Sequence, residues 1–234
     1  MFTVANPMGG QVHTSALRPC DTSEAKQLLM KDGKIIPAPA ADIRALGDET
    51  IRFFCLTQGV YSVPTTEVIE FVDSLIPNKD KAIEIGAGNG VYGRSRGIKS
   101  TDNFMQHPKN RAKFRNCLAA YEKTGQPLVQ YGEDVIELDA KDAVRQHKAE
   151  TVVAAWVTHK YNPTKPHLDG NMFGVDFDWI LKRAHVKRLI LIGNHNTHQN
   201  NPIMKREHQE YRLDGNIISR SIRPELDCVF VWDV

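Results

Sequence analysis

The chain has no apolar run approaching the roughly 18 to 20 residues that would cross a bilayer as a helix, so no membrane span is expected. It also lacks an opening basic stretch followed by an apolar block, since Met1-Phe2-Thr3-Val4-Ala5-Asn6-Pro7 has neither. We therefore expect a soluble, unsecreted, cytoplasmic protein. Cysteine is scarce and scattered: Cys20, Cys55, Cys117 and Cys228 never pair as C-x-x-C, which argues against a zinc ribbon, a redox dithiol or a disulfide framework. Charge of one sign is lacking too. A formal net charge of +2 does not by itself mark a nucleic-acid-binding domain. Neither internal repeats nor low-complexity tracts occur, which sets solenoid and linker architectures aside. What is present is a globular composition, 41% hydrophobic and 25% charged over 234 residues, enough to bury a full core.

Along the chain, residues 1–40 mix Gly, Pro and Ser and read as an irregular cover with one helical stretch, Ser23 to Met30. Ile43, Leu46, Ile51, Phe54 and Cys55 recur at helical spacing before Gly59, which predicts one or two helices over 42–58. Residues 1–58 are thus expected to form a cover segment and 59–234 the main domain. Thr65 or Thr66 is placed to cap a helix that buries Val68, Ile69, Phe71, Val72 and Leu75 and stops before Pro77.

Short apolar strands then alternate with amphipathic stretches, the pattern of a parallel sheet with crossover helices. Strands are predicted at 82–85, 97–101, 135–138, 152–156 and 189–192, with helices at 89–94, 108–123, 140–147 and 177–185. At the end of the chain, residues 216–222 and 228–232 are β-branched or aromatic and are expected to pair antiparallel at the sheet edge. The fold class that follows is α/β, a mostly parallel sheet flanked by helices.

Within this pattern, Lys81-Ala82-Ile83-Glu84-Ile85-Gly86-Ala87-Gly88-Asn89-Gly90 sets three glycines at alternate positions between a strand and a helix. Glycine is required where the backbone turns with φ > 0 and where a ligand touches the main chain. The dinucleotide fingerprint needs its third glycine at position 91, which is Val91, so NAD is disfavoured. The stretch resembles instead the first motif of class I S-adenosylmethionine-dependent methyltransferases, E/D-x-G-x-G-x-G, matched by Glu84, Gly86, Gly88 and Gly90.

That resemblance implies a Rossmann-like fold and S-adenosylmethionine as cofactor, with Glu84, Gly86, Ala87, Gly88, Asn89 and Gly90 at its site. It further implies an acid ending the second strand that accepts hydrogen bonds from the ribose hydroxyls, and Asp102 stands there. A carboxylate after the third strand would lie beside the adenine; Asp139, with Ala140, is the first choice, and Glu133 and Asp134 are the alternative if residues 128–131 form the strand. Asp139 also reads as a plain helix N-cap. Tyr61 and Trp156 are candidates to stack on the cofactor, with core packing as the competing role.

Ligands of open α/β sheets collect beyond the carboxyl ends of the strands. The segments Trp156-Val157-Thr158-His159 and His195-Asn196-Thr197-His198 therefore bear on the acceptor. The D/N/S-P-P-Y/F/W motif of amino-methylating relatives is absent after strand four, and no Pro-Cys dipeptide occurs, which disfavours DNA base methylation. His159 is the candidate general base, and His198 shapes the acceptor site. His195, His198, His159 and Asp169 are considered as metal ligands, but Asn- and His-rich loops commonly satisfy their own backbone, so no metal is expected. The basic clusters Arg94, Arg96, Lys99 and Lys182, Arg183, Lys187, Arg188 read as solvated helix surface. Nucleic acid is not indicated as a partner. The rival to an active methyltransferase is a catalytically silent domain that binds S-adenosylmethionine or a nucleotide.

Overall fold

A computed structural model describes residues 2–5, 11–14, 19–124 and 127–234. Its centre is a seven-stranded sheet: β1 (Ala82–Ile85), β2 (Lys99–Asp102), β3 (Val135–Glu137), β4 (Thr151–Ala155), β5 (Arg188–Asn194), β6 (Gln209–Tyr211) and β7 (Asp227–Asp233). Their spatial order is β3-β2-β1-β4-β5-β7-β6. Strands β1 to β5 pair in parallel, whereas β7 runs antiparallel to both β5 and β6. Order reverses between β1 and β4, and a crevice forms at such a switch point because successive crossovers leave on opposite faces.

The central strands are apolar on both faces, which is why their sequences lack strict alternation. Val152, Ala154, Leu189, Leu191, Cys228, Phe230 and Trp232 face one core. That core is closed by α7 (Ala140–His147) and α8 (Phe177–Leu181). Val153, Ile190, Ile192, Val229 and Val231 face the other, closed by α4 (Thr66–Ser74) and α5 (Val91–Arg96). Full burial of one such side chain contributes about 1.5 to 3 kcal/mol, so these two layers hold the sheet together.

Several expectations change. The 216–222 and 228–232 runs do not pair with each other: Ile218–Ser219 pairs with Ser62–Val63, and β7 inserts between β5 and β6. The reason is burial, because Cys228 to Trp232 are all enclosed on both faces, and an edge position would expose one of them. The edge falls to Gln209–Tyr211, a short polar strand that the apolar pattern does not mark. The first 40 residues are also more regular than expected, with hairpins pairing Phe2–Ala5 to Gln11–Thr14 and Met30–Lys31 to Lys34–Ile35.

Helices α1 (Ser23–Leu29), α2 (Ala40–Ala45) and α3 (Asp48–Thr57) build the cover around Leu29, Ile43, Phe54 and Val63. Thr65 is the N-cap of α4, its side-chain oxygen accepting from Val68 N–H at 3.2 Å. The helix expected over 177–185 ends at Leu181, and that over 108–123 breaks into a short turn at Pro108–Asn110 and α6 (Arg115–Thr124). Residues 128–131 are not strand; β3 is Val135–Glu137, which settles the open choice of third strand.

Gly93 marks the tightest helix–sheet contact. A Cβ there would lie 2.1 Å from Ser100 Oγ and 2.8 Å from Glu84 Oε2. Gly93→Ala is expected to lower stability by about 1 to 3 kcal/mol through overpacking, despite the roughly 1 kcal/mol that alanine gains in helix propensity. Urea unfolding checks this, and an unchanged midpoint would show that α5 shifts freely.

Candidate functional site

Three adjacent strands, β2, β1 and β4, each release the chain through a left-handed residue: Phe104 (φ 54), Gly86 (φ 61) and Trp156 (φ 60). Two of these are bulky residues in a conformation that costs of order 1 kcal/mol or more, strain of the kind that collects at ligand sites. The turns aim the glycine loop, Asp102 and the segment after β4 at one place. Tyr61 approaches from the cover, its ring stacked on Trp156 with centroids 6.4 Å apart.

Beneath the loop lies Glu84, fully buried. Its Oε2 accepts from Gly93 N–H and from Ser100 Oγ, both at 2.8 Å, so one carboxylate joins β1, α5 and β2. Burial pushes its pKa up to about 7, against the pull of those two donors. Glu84 is therefore a brace under the site rather than a group lining it. Arg96, also buried, donates to Tyr92 O at 2.6 Å from the same layer.

Above the brace, Gly88 N–H donates to Asp102 Oδ2 at 3.0 Å, and Phe104 N–H donates to Asp102 Oδ1 at 2.8 Å. Each oxygen keeps a further lone pair. Burial raises the Asp102 pKa, and the two backbone donors oppose that shift. The structure thus brings Gly86, Ala87, Gly88 and Asp102 together, with the three loop residues partly open to solvent. Asn89 and Gly90 are buried below; Gly90 (φ 78) packs so closely that a Cβ would lie 2.6 Å from Val135.

Asp139 is not part of this group. It is the N-cap of α7, accepting from Lys141 N–H at 3.0 Å, and it is exposed, with Ala140 beginning the helix. Asp134 is committed to Arg94 through contacts of 2.9 and 3.0 Å. Neither acid faces the loop through a contact of its own.

Several residues that the sequence reading passed over complete the walls. Gln106 accepts from Val129 N–H at 3.1 Å and donates to Tyr121 OH at 3.0 Å, while its own N–H donates to Tyr131 OH. Tyr131 stacks on Phe104 at 4.2 Å. Tyr121 is hydrogen-bonded to Tyr61, and its phenol is raised first by that neighbour and then by burial. Trp156 Nε1–H donates to Ser62 Oγ at 2.8 Å, and Ser62 meets Tyr92 OH at 2.7 Å, tying cover, β4 and α5 to one another. Val157 and Val129 lean on the loop itself: a Cβ on Gly86 would lie 2.6 Å from Val157, and one on Gly88 3.3 Å from Val129. At Gly86 it is the chain's own side chain that makes a Cβ impossible.

The two histidines fare differently. His159 is buried, its pKa is lowered by that burial, and its Nε2 lies 3.0 Å from Leu168 O. A carbonyl only accepts, so Nε2 carries the proton and Nδ1 keeps the lone pair. His198 is fully enclosed behind Gly193 and Phe230, and neither ring nitrogen has a partner. Burial pushes its pKa down to about 3. An enclosed neutral ring cannot shape an acceptor site, so the expectation for His198 is corrected on grounds of burial.

Compared with known protein families and with curated proteins, the chain matches none. Among the described residues no helix is long and apolar enough to cross a membrane.

The enclosed ring of His198 makes stability depend on pH. Its folded pKa is about 3 against an ordinary 6.5, so the unfolded chain takes up this proton first as pH falls. The stability is present above pH 6.5 and is lost toward pH 3, at up to about 1.4 kcal/mol per pH unit. His198→Leu is expected to flatten that slope between pH 6.5 and 4 in urea titrations; a slope identical to that of the natural chain would show that His198 does not carry it.

Proposed function

We propose that the chain is a Rossmann-like methyltransferase domain that binds S-adenosylmethionine at the carboxyl ends of β2, β1 and β4. One observation carries the reading: the 3.0 Å hydrogen bond from Gly88 N–H to Asp102, which sets bare backbone beside the strand-ending acid. The sheet order supports it, because β3-β2-β1-β4-β5 is the doubly wound order and the loop sits at its switch point. The remaining lone pairs of Asp102 fit a diol donating two hydrogen bonds, which is what a ribose offers. Tyr61, 43% exposed, stacks on Trp156 and has the Arg220 guanidinium 4.4 Å from its ring centroid, so it supports the reading as a wall of the site.

Bound there, S-adenosylmethionine would supply an electrophilic methyl carbon. The protein's part is positioning and exclusion of water: the loop and Asp102 hold the sugar, and Val129, Val157 and the tyrosine walls keep the space dry. His159 serves as proton acceptor only through Nδ1, since Nε2–H is held by Leu168 O. The acceptor is a nucleophile that reaches the segment after β4.

A second reading, a silent binding module, is favoured by Val157 and Val129, which fill the space against Gly86 and Gly88. The two readings separate in one pair of measurements on the full chain. Calorimetric titration with S-adenosylmethionine is expected to show binding, and Asp102→Ala to weaken it by about 1 to 3 kcal/mol by removing charge-assisted hydrogen bonds. Release of S-adenosylhomocysteine with pooled acceptors supports the enzyme, and binding without release across nucleic acid, protein and small-molecule pools supports the silent module. Absence of S-adenosylmethionine binding overturns the enzyme, absence of nucleotide binding as well overturns the silent module, and unchanged affinity in a folded Asp102→Ala chain removes Asp102 from the site.

A further inference from the structure

At the opposite side of the sheet, β5, β6 and β7 bring together polar groups that the proposed methyl transfer does not use. One nitrogen of His195, a carboxylate oxygen of Glu210 and the sulfur of Cys228 all lie within 4.8 Å of one another. Glu210 is central: its Oε2 lies 3.0 Å from His195 Nε2, and its Oε1 lies 3.0 Å from His208 Nε2. We propose that His195, Glu210 and Cys228 form a binding site for a divalent transition metal of the zinc type, with His208 bracing Glu210 from behind.

The ligand chemistry is mixed nitrogen, oxygen and sulfur, which suits zinc better than magnesium or calcium, whose ligands are oxygens. Zinc bonds of about 2.0 to 2.3 Å put ligand atoms roughly 3.3 to 3.8 Å apart, so about 1 Å of side-chain closure completes the set. The scaffold holds the groups in place. Glu210 stands opposite Phe230 in the β6–β7 register, on the sheet face that also carries Cys228, Phe230 and Trp232. The His195 ring meets Phe230 edge-on at 4.9 Å, and the His208 ring stacks on Trp232 at 5.1 Å.

His208 holds Glu210 from the far side, its Nε2 3.0 Å from Glu210 Oε1 and its Nδ1 2.7 Å from Arg206 O. A ligating carboxylate braced from outside in this way keeps its other oxygen aimed at the metal.

Charge balances as well. The thiol of Cys228 releases its proton to solvent as the sulfur–metal bond forms, so one thiolate and one carboxylate offset the two positive charges of the ion. Partly exposed His195 and Glu210 give a path from solvent to buried Cys228. With three protein ligands the site would leave a fourth position to water, while the ion joins the three-residue edge strand β6 to β7 and to the end of β5.

The test is titration of chelator-stripped, full-length protein with Co²⁺, whose absorption reports thiolate ligation and four-coordination. One equivalent is expected to bind with a thiolate charge-transfer band, to be displaced by Zn²⁺, and to raise the melting temperature. Cys228→Ser should abolish the band, Cys20→Ser should keep it, and Glu210→Gln and His195→Gln should each weaken binding at least tenfold. Should Cys228→Ser fail to fold, the Glu210 and His195 variants, at partly exposed positions, still decide the matter. Absence of the band, its survival in Cys228→Ser, or unchanged affinity in both folded variants at positions 210 and 195 overturns the site.

Discussion

The arrangement at the front of the sheet depends on one carboxylate taken out of water. Glu84 sits in the middle of β1 where an apolar side chain would cost less, and it is kept there by donors from a helix and from a neighbouring strand. Because both donors converge on Oε2, moving α5 away from the sheet would leave the buried acid with the Ser100 hydroxyl as its one donor. Gly93 answers the same constraint from the other side, since the helix comes this close only without a side chain. The loop from Gly86 to Gly90 spans the gap between that strand and that helix, so its shape follows from their separation.

Built on this base, the exit of each neighbouring strand becomes consequential. Asp102 ends β2 with both oxygens engaged by backbone N–H groups, one of them from the glycine loop, so acid and loop are positioned by each other. The walls come from three other places: Tyr61 from the cover, Val157 from the exit of β4, and Val129 and Tyr131 from the stretch ahead of β3. Gln106 links two of these walls through both ends of its amide. A site assembled in this way takes its shape from long-range packing, and it owes its enclosure to the chain itself.

The far side of the sheet follows a different rule. There the reversed strand β7 lies between β5 and β6, and its apolar face carries Cys228, Phe230 and Trp232 toward a cluster of histidines. Imidazole rings packed on aromatic residues have few rotamers left, so their nitrogens are held where a short edge strand alone could not hold them. His198, three positions after His195, is by contrast wholly enclosed and without a partner. The two histidines stand three apart on the helical turn after Asn194 and both rings meet Phe230, yet His195 lies at the rim beside Glu210 while His198 is enclosed.

Local sequence determined the elements whose signal is short-range: the strand–glycine loop–helix unit, a threonine cap at Thr65 or Thr66, and the apolar strands that must be buried on both faces. The resemblance puts Asp102 at the end of the second strand, which is expected over 97–101 and found at Lys99–Asp102. Glu210 lies on the edge strand β6, whose polar character hid its side of the sheet, and His208 just precedes that strand. Tertiary structure alone decided that β7 enters the sheet between β5 and β6, that Asp102 meets the glycine loop, and that His198 is enclosed. Each of these depends on which distant segment covers a residue. Periodicity reports which side of an element is apolar, and the pairing of elements far apart in the chain is set by how their faces share one core.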